Sequence, residues 1–182
     1  MVIGRRWAMR IACVLAADFE DSEFEDPYRA FLEAGHEVTV IGLRANEPLK
    51  GKKSQVTVLT EKSFDDVSPN DFDALLIPGG YSPDKLRAHD EPVVFVKSMM
   101  AANKPVLAIC HGPQLLLAAE EYKRHRMTAW KTIQGDLKKA GADVVDREVV
   151  VDRNLVTSRM PQDIPAFIRE SLKVLEAVPA RR

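Results

Sequence analysis

Cys110-His111-Gly112-Pro113 stands between the apolar run Val106 to Ile109 and a leucine- and alanine-rich segment, Gln114 to Glu121. That order reads as a buried strand, a sharp turn and a helix. A thiol at such a corner has its thiolate favoured by the helix dipole and by free backbone N–H groups, and a sharp turn exposes the sulfur. A depressed pKa is therefore expected for Cys110. The other cysteine, Cys13, lies inside the run Ile11 to Ala16 with no polar neighbour and reads as a small buried hydrophobe. His111 adjoins the thiol, but neighbours at a turn diverge, so it reaches the sulfur only by bending back. A base of this kind is usually oriented by a carboxylate.

Two further loops follow buried strands. Glu20 lies in the acidic stretch Asp18 to Asp26 after Ile11 to Ala16, and Gly79-Gly80 follows Ala74 to Ile77 and Pro78. Taken alone, the acids read as a solvated face or helix N-terminal charge, and the glycines as a turn. Glycine also lets a backbone N–H approach a developing oxyanion. If the strands are parallel, all three loops meet at one edge of the sheet and bring together an acid, a backbone donor and a thiol. His36, His89 and His125 show no metal-ligand spacing among themselves or with Cys110, so neither metal nor cofactor is expected.

The positioning elements alternate. Strands are predicted at Ile11 to Ala16, Val38 to Ile41, Gln55 to Thr60, Ala74 to Ile77, Val106 to Ile109, Val144 to Val151 and Leu155 to Thr157. Helices are predicted from the acidic stretch to Gly35, then over Glu91 to Asn103, Gln114 to Glu121, Ile133 to Ala140 and Pro161 to Leu175. Ser22 and Glu25 have capping-box spacing for the first helix. Short apolar strands alternating with helices give an α/β class with a mainly parallel sheet covered on both faces. Ligands in such folds sit beyond the carboxyl ends of the strands.

A chain of 182 residues suits one domain. We expect residues 1–8 to be an extension and 9–182 the domain, because Met9 directly precedes the first apolar run. With 46% hydrophobic and 29% charged residues and a net charge of -1, composition favours neither disorder nor a nucleic-acid surface. No apolar run nears the roughly 20 residues that span a bilayer, so no membrane partner is expected. Two cysteines in apolar runs fit a reducing compartment, and a cytoplasmic location is expected.

Three segments together, Ala108 to Gln114, Ala74 to Gly80 and Phe19-Glu20-Asp21, closely resemble the ThiJ/PfpI superfamily in its PfpI-like intracellular peptidase and general stress protein branch. Phe72-Asp73-Ala74, Ala34 to Val38 and Ser158-Arg159 with Pro161 extend the resemblance over nearly the whole chain from Met9. It implies a flavodoxin-like three-layer sandwich shared with class I glutamine amidotransferases, and Cys110 as nucleophile on a strained elbow. It further implies that His111 is the catalytic partner, that Glu20 hydrogen-bonds the sulfur, and that the N–H groups of Gly80 and His111 form the oxyanion hole. A second charge beside a thiolate is costly, so Glu20 is expected to be protonated near neutral pH. PfpI-like peptidases orient the histidine with a glutamate donated by a neighbouring subunit. Asp84 holds the matching position, one methylene shorter, which implies a homodimer or larger homo-oligomer with an intersubunit site.

The segment that follows the elbow helix, Glu120 to His125, departs from the small-residue turn usual in the family. Cys110, Gly112 and Gln114 also match the amidotransferase turn, but those enzymes use a late histidine and none follows His125. The implied function is that of a stress-related cysteine peptidase acting on peptides. Glyoxalase or deglycase action on methylglyoxal or its adducts, a small carbonyl substrate, shares the same nucleophile. The non-enzymatic alternative is a redox-sensing stress protein or chaperone that oxidises Cys110. Members of that type generally lack a histidine beside the cysteine, so His111 favours an enzyme.

Overall fold

The computed structural model describes residues 7–179, so residues 1–6 of the expected extension lie outside the described residues, as do 180–182. Strand β1 (Arg10–Val14) is buried over its last four residues, as a strand covered on both faces must be. Helix α1 (Asp21–Glu33) follows, and Gly35, at a φ of 88°, turns the chain into β2 (Glu37–Gly42), parallel to β1. The Ser22 capping box is not used: the helix starts two residues earlier, at Asp21, with Glu20 as its cap.

After β2 the chain leaves the sheet. Strands β3 (Pro48–Lys50) and β4 (Thr57–Leu59) form a separate antiparallel hairpin, and β5 (Lys62–Ser63) then adds a short parallel edge to β2. This corrects the reading of Gln55 to Thr60 as a further strand of the sheet. Thr57 and Leu59 are exposed on either side of Val58, so β4 is covered on one face only. Next comes β6 (Ala74–Ile77), which crosses to the other side of β1, followed by α2 (Ser82–Leu86) and α3 (Asp90–Ala101).

Strand β7 (Val106–Ile109) lies beside β6 and leads into α4 (Pro113–Ala118). Beyond it, β8 (Arg126–Met127) pairs with β9 (Asp143–Val144) around α5 (Lys131–Ala140). Strand β10 (Val149–Asp152) runs antiparallel to β11 (Leu155–Ser158), and α6 (Ile164–Glu176) closes the fold. The expected strand Val144 to Val151 is thus divided between β9 and β10. At the break, Asp146 is drawn out to Arg159 and Gln134.

The main sheet runs β10-β11-β7-β6-β1-β2-β5 and is parallel apart from β10. Alternate residues of a strand face opposite sides, so the sheet has two cores. Ala12, Val14, Leu75 and Ile77 pack with Val96 and Leu115 on one side, while Ile11, Cys13 and Leu76 pack with Phe31 and Phe167 on the other. This is the flavodoxin-like sandwich that was expected. The chain goes from β1 to β2 in one direction and returns through β6 in the other, so the loops after β1 and β6 part at the β1–β6 boundary. A crevice at such a reversal is where ligands bind in open α/β sheets.

Candidate active site

Cys110 follows β7 with a φ of 62°, a left-handed conformation that costs a non-glycine residue about 1–3 kcal/mol and persists only when its surroundings impose it. Here its N–H donates to the Ser158 carbonyl at 2.9 Å, and its carbonyl accepts from Trp130 N–H at 2.9 Å. The next residue but one has no room for a side chain: a Cβ at Gly112 would stand 2.6 Å from the Ile77 carbonyl oxygen. Strand pairing and this close approach therefore hold the elbow. Cys110 is 7% exposed, and its Sγ lies 3.2 Å from His111 Nδ1. The His111 ring stacks on Trp130, with centroids 6.1 Å apart. The backbone N–H groups of Gly80 and His111 both favour the thiolate.

The loops after β1 and β6 are tied together. Glu20 N–H donates to the Gly79 carbonyl and Tyr81 N–H to the Asp18 carbonyl, while the Ser82 hydroxyl accepts from Ala16 N–H. Gly80 has a φ of 76°, and a Cβ there would meet Glu20 N at 2.4 Å, so this tie needs glycine.

The acid at the sulfur is Glu23, where Glu20 had been expected. Glu23 is fully buried on the first turn of α1, accepts from Gly79 N–H through Oε1 at 3.1 Å and lies close enough to Cys110 for each group to shift the other's titration. Glu20 is also buried, but its carboxylate faces the hairpin loop, with Lys52 Nζ at 2.6 Å and Lys53 Nζ at 2.8 Å.

The two glutamates have opposite protonation. Burial first, then the charge of Glu20, pushes Glu23 up to about 8, so it is mostly protonated at neutral pH. Burial also opposes ionisation of Glu20, yet the two lysines outweigh it and hold that carboxyl below its ordinary value. Glu20 is therefore ionised, contrary to the expectation that it would be the protonated acid.

For Cys110, burial and then the neighbouring Glu23 push the thiol well above its ordinary range, opposing the depression expected from the helix start. Glu23 and Cys110 titrate as a pair. While Glu23 keeps its proton its charge does not oppose the thiolate, and the N–H groups of Gly80 and His111 favour it. Burial, then Lys52, pushes His111 down, so its imidazole is neutral at neutral pH and free to accept a proton.

Asp84 is exposed on α2 and ion-paired to Arg87, with Oδ1 2.7 Å from Nη2. It is near enough for its charge to act on His111, without a hydrogen bond between them among the described residues. The sequence reading missed Glu23, Lys52 and Lys53. A signal for Glu23 existed in its spacing of three from Glu20 at a helix start, which puts both acids on one face. No comparable signal marks the lysines, because the hairpin that carries them is fixed by tertiary contacts.

Among the described residues no group of three or more His, Cys, Asp or Glu side chains could hold a metal ion, and no helix is long and apolar enough to cross a membrane. A parallel α/β sandwich with a cysteine on a strained strand-to-helix elbow, flanked by a histidine and a protonated glutamate, defines a class of cysteine-centred proteins. Residues 9–174 match the DJ-1/PfpI family, and the chain belongs to it. It is 55% identical to General stress protein 18 of Bacillus subtilis over 168 residues, which cover 92% of this chain and 98% of that one. It is 50% identical to Protein/nucleic acid deglycase 2 of Escherichia coli, again over 92% and 98% of the two chains. A crystal structure of a two-domain protein from Anabaena variabilis, with dj-1/thij/pfpi-like and ferritin-like domains, superposes with a TM-score of 0.90 at 37% identity. That match covers 94% of this chain and 50% of the other.

Proposed function

We propose that this protein is an enzyme in which Cys110 attacks the carbonyl of a small aldehyde or of an adduct derived from one, an activity of glyoxalase or deglycase type. The observation that carries the reading is the approach of His111 Nδ1 to the sulfur, at 3.2 Å, with the Gly79-Gly80 loop packed between Cys110 and the buried Glu23, so closely that a Cβ at Gly79 would stand 2.4 Å from Glu23 Oε1 and 2.8 Å from Cys110 Cβ. Neutral His111 accepts the thiol proton as sulfur bonds to the carbonyl carbon. Negative charge then develops on the carbonyl oxygen, and the N–H groups of Gly80 and His111 stabilise it. Glu23 holds the proton that the oxygen can take up. The 50% identity to a protein named as a deglycase agrees with this chemistry.

Peptide hydrolysis of PfpI type is the second reading, favoured by the charge of Asp84 acting on His111. It needs that carboxylate to leave Arg87, or a neighbouring subunit to supply one, before the imidazole is oriented. The deciding experiment sets methylglyoxal, a glycated peptide and an unfolded protein against the parent and its Cys110→Ser variant. Loss of methylglyoxal or adduct turnover in the variant supports the first reading. Cys110-dependent cleavage of the unfolded protein, with no turnover of the carbonyl compounds, sinks it in favour of the second, and activity untouched by Cys110→Ser sinks both.

A further inference from the structure

The β3–β4 hairpin does more than shield the sheet edge. Its loop is pinned from below by the Asp21 carboxylate, which accepts from the N–H groups of Lys53, Gln55 and Val56 at 2.9, 3.0 and 3.0 Å. Gly51 rests so closely on that carboxylate that a Cβ would stand 2.3 Å from Oδ1. Lys52 N–H donates to the Phe19 carbonyl and Asp18 N–H to the Lys50 carbonyl, so the loop is bonded to the same β1–α1 connection that carries Glu20 and Glu23. A surface hairpin held this firmly fixes where its lysines sit.

Both lysines converge on one buried carboxylate, Glu20. Two ammonium groups against a single carboxylate leave one positive charge beside the sulfur, and nearby charges do not cancel it. Asp18 pairs with Lys85 at 2.5 Å, Asp84 pairs with Arg87, Glu23 holds its proton, and the Asp21 carboxylate is engaged by three backbone N–H groups of the loop. The charge of Lys52 reaches both Cys110 and His111.

We propose that Lys52, steadied by Lys53 and Glu20, recognises an anionic group on the substrate, so that the preferred substrate is a carbonyl compound with a carboxylate close to the carbon that Cys110 attacks. This rests on the reading of Cys110 as a carbonyl nucleophile and narrows its substrate class. A neutral aldehyde meets the same nucleophile without the attraction.

The test uses alkylation of Cys110, which needs no turnover and so separates this proposal from the functional reading. Iodoacetate and iodoacetamide present the same electrophilic carbon with and without a carboxylate. Their rate ratio reports the local charge, because any change in thiolate content affects both reagents equally. Lys52→Met is expected to lower the iodoacetate-to-iodoacetamide ratio roughly three- to tenfold, the size expected for one unit charge across a half-exposed site, and added salt should shrink the difference. Lys52→Arg should keep most of the parent ratio, and Glu20→Gln should raise it by freeing both lysines. Cys110→Ser, which should abolish labelling, assigns the signal. A Lys52→Met ratio equal to the parent's, or equal slowing of both reagents, overturns the proposal. A charge-dependent ratio in a protein that turns over no carbonyl compound would leave the electrostatic site standing and remove the functional reading instead.

Discussion

Replacing Glu23 by Gln should flatten the alkaline side of the stability profile. The parent carboxyl is fully buried and pushed up to about 8 from an ordinary 4.5. Below the ordinary value both folded and unfolded states hold the proton, and the contribution is fully present. As pH rises above about 4.5 the unfolded chain releases the proton while the folded one keeps it, so stability is lost at about 1.4 kcal/mol per pH unit until the folded group titrates near 8. Over that window the loss is about 3–5 kcal/mol, a large share of the 5–15 kcal/mol that a domain possesses. Glutamine keeps an oxygen for the Gly79 N–H but does not titrate.

Urea unfolding at half-unit steps from pH 5 to 9 would measure the difference, in a Cys110→Ser background so that the thiol does not contribute. Burial and Glu20 remain there as causes of the raised value. The variant should be less stable relative to its parent at pH 5 than at pH 8, with the gap moving by a few kcal/mol and levelling above 8. Parallel curves would mean that Glu23 is ionised throughout, and the protonated acid assigned to this site would be wrong.

Gly80→Ala places a Cβ 2.4 Å from Glu20 N at a residue with a φ of 76°, so its N–H must leave the sulfur; steady-state kcat should fall roughly 10²-fold or more while circular dichroism stays native. Unchanged kcat would remove Gly80 from the oxyanion role. Asp21→Ala leaves three N–H groups of the 51–56 loop without their acceptor and should cost about 2–4 kcal/mol in urea unfolding, with new proteolytic cleavage confined to that loop. If Asp84 serves a neighbouring subunit, mixing Asp84→Ala and Cys110→Ser protomers restores part of the activity, and light scattering shows at least a dimer. A fully active monomer contradicts that arrangement.

The alternation of apolar strands with helices was legible because a parallel sheet buried on both faces writes itself as short continuous hydrophobic runs. β1, β6 and β7 were located in this way, each within two residues of its observed ends. Where a strand is half covered the signal fails. Thr57-Val58-Leu59 has the composition of a sheet strand, yet only its middle residue packs against the core, and it pairs with Pro48–Lys50 outside the sheet. Cys110 and Gly80 were legible as candidates because glycine and a turn cysteine mark backbone geometry directly. The pKa of the thiol was misjudged for a physical reason. The backbone N–H groups of His111 and Gly80 act in the expected direction, but burial at 7% exposure and the adjoining carboxyl act more strongly in the other direction.

The exchange of Glu20 for Glu23 has the same kind of cause. Both lie at the start of α1, three residues apart, and two carboxylates beside one thiol cannot all be charged. Local sequence does not say which of them loses its charge, because that is decided by residues about 30 and more than 50 positions away. Glu20 precedes the helix in extended backbone, from which its side chain meets Lys52 and Lys53, and those two ammonium groups keep it ionised. Glu23 is turned inward by the first helical turn, where among the described residues it finds one backbone N–H and no cation at hydrogen-bonding distance, so burial keeps it protonated. Each setting depends on the other, since the charge of Glu20 helps to raise the pKa of Glu23. Two like residues in neighbouring environments thereby take separate states: one keeps its proton beside the thiol, and the other is ionised against two lysines. Exchanging the two would require moving the hairpin, so the Asp21 clamp that holds the hairpin also sets which of the two glutamates is ionised.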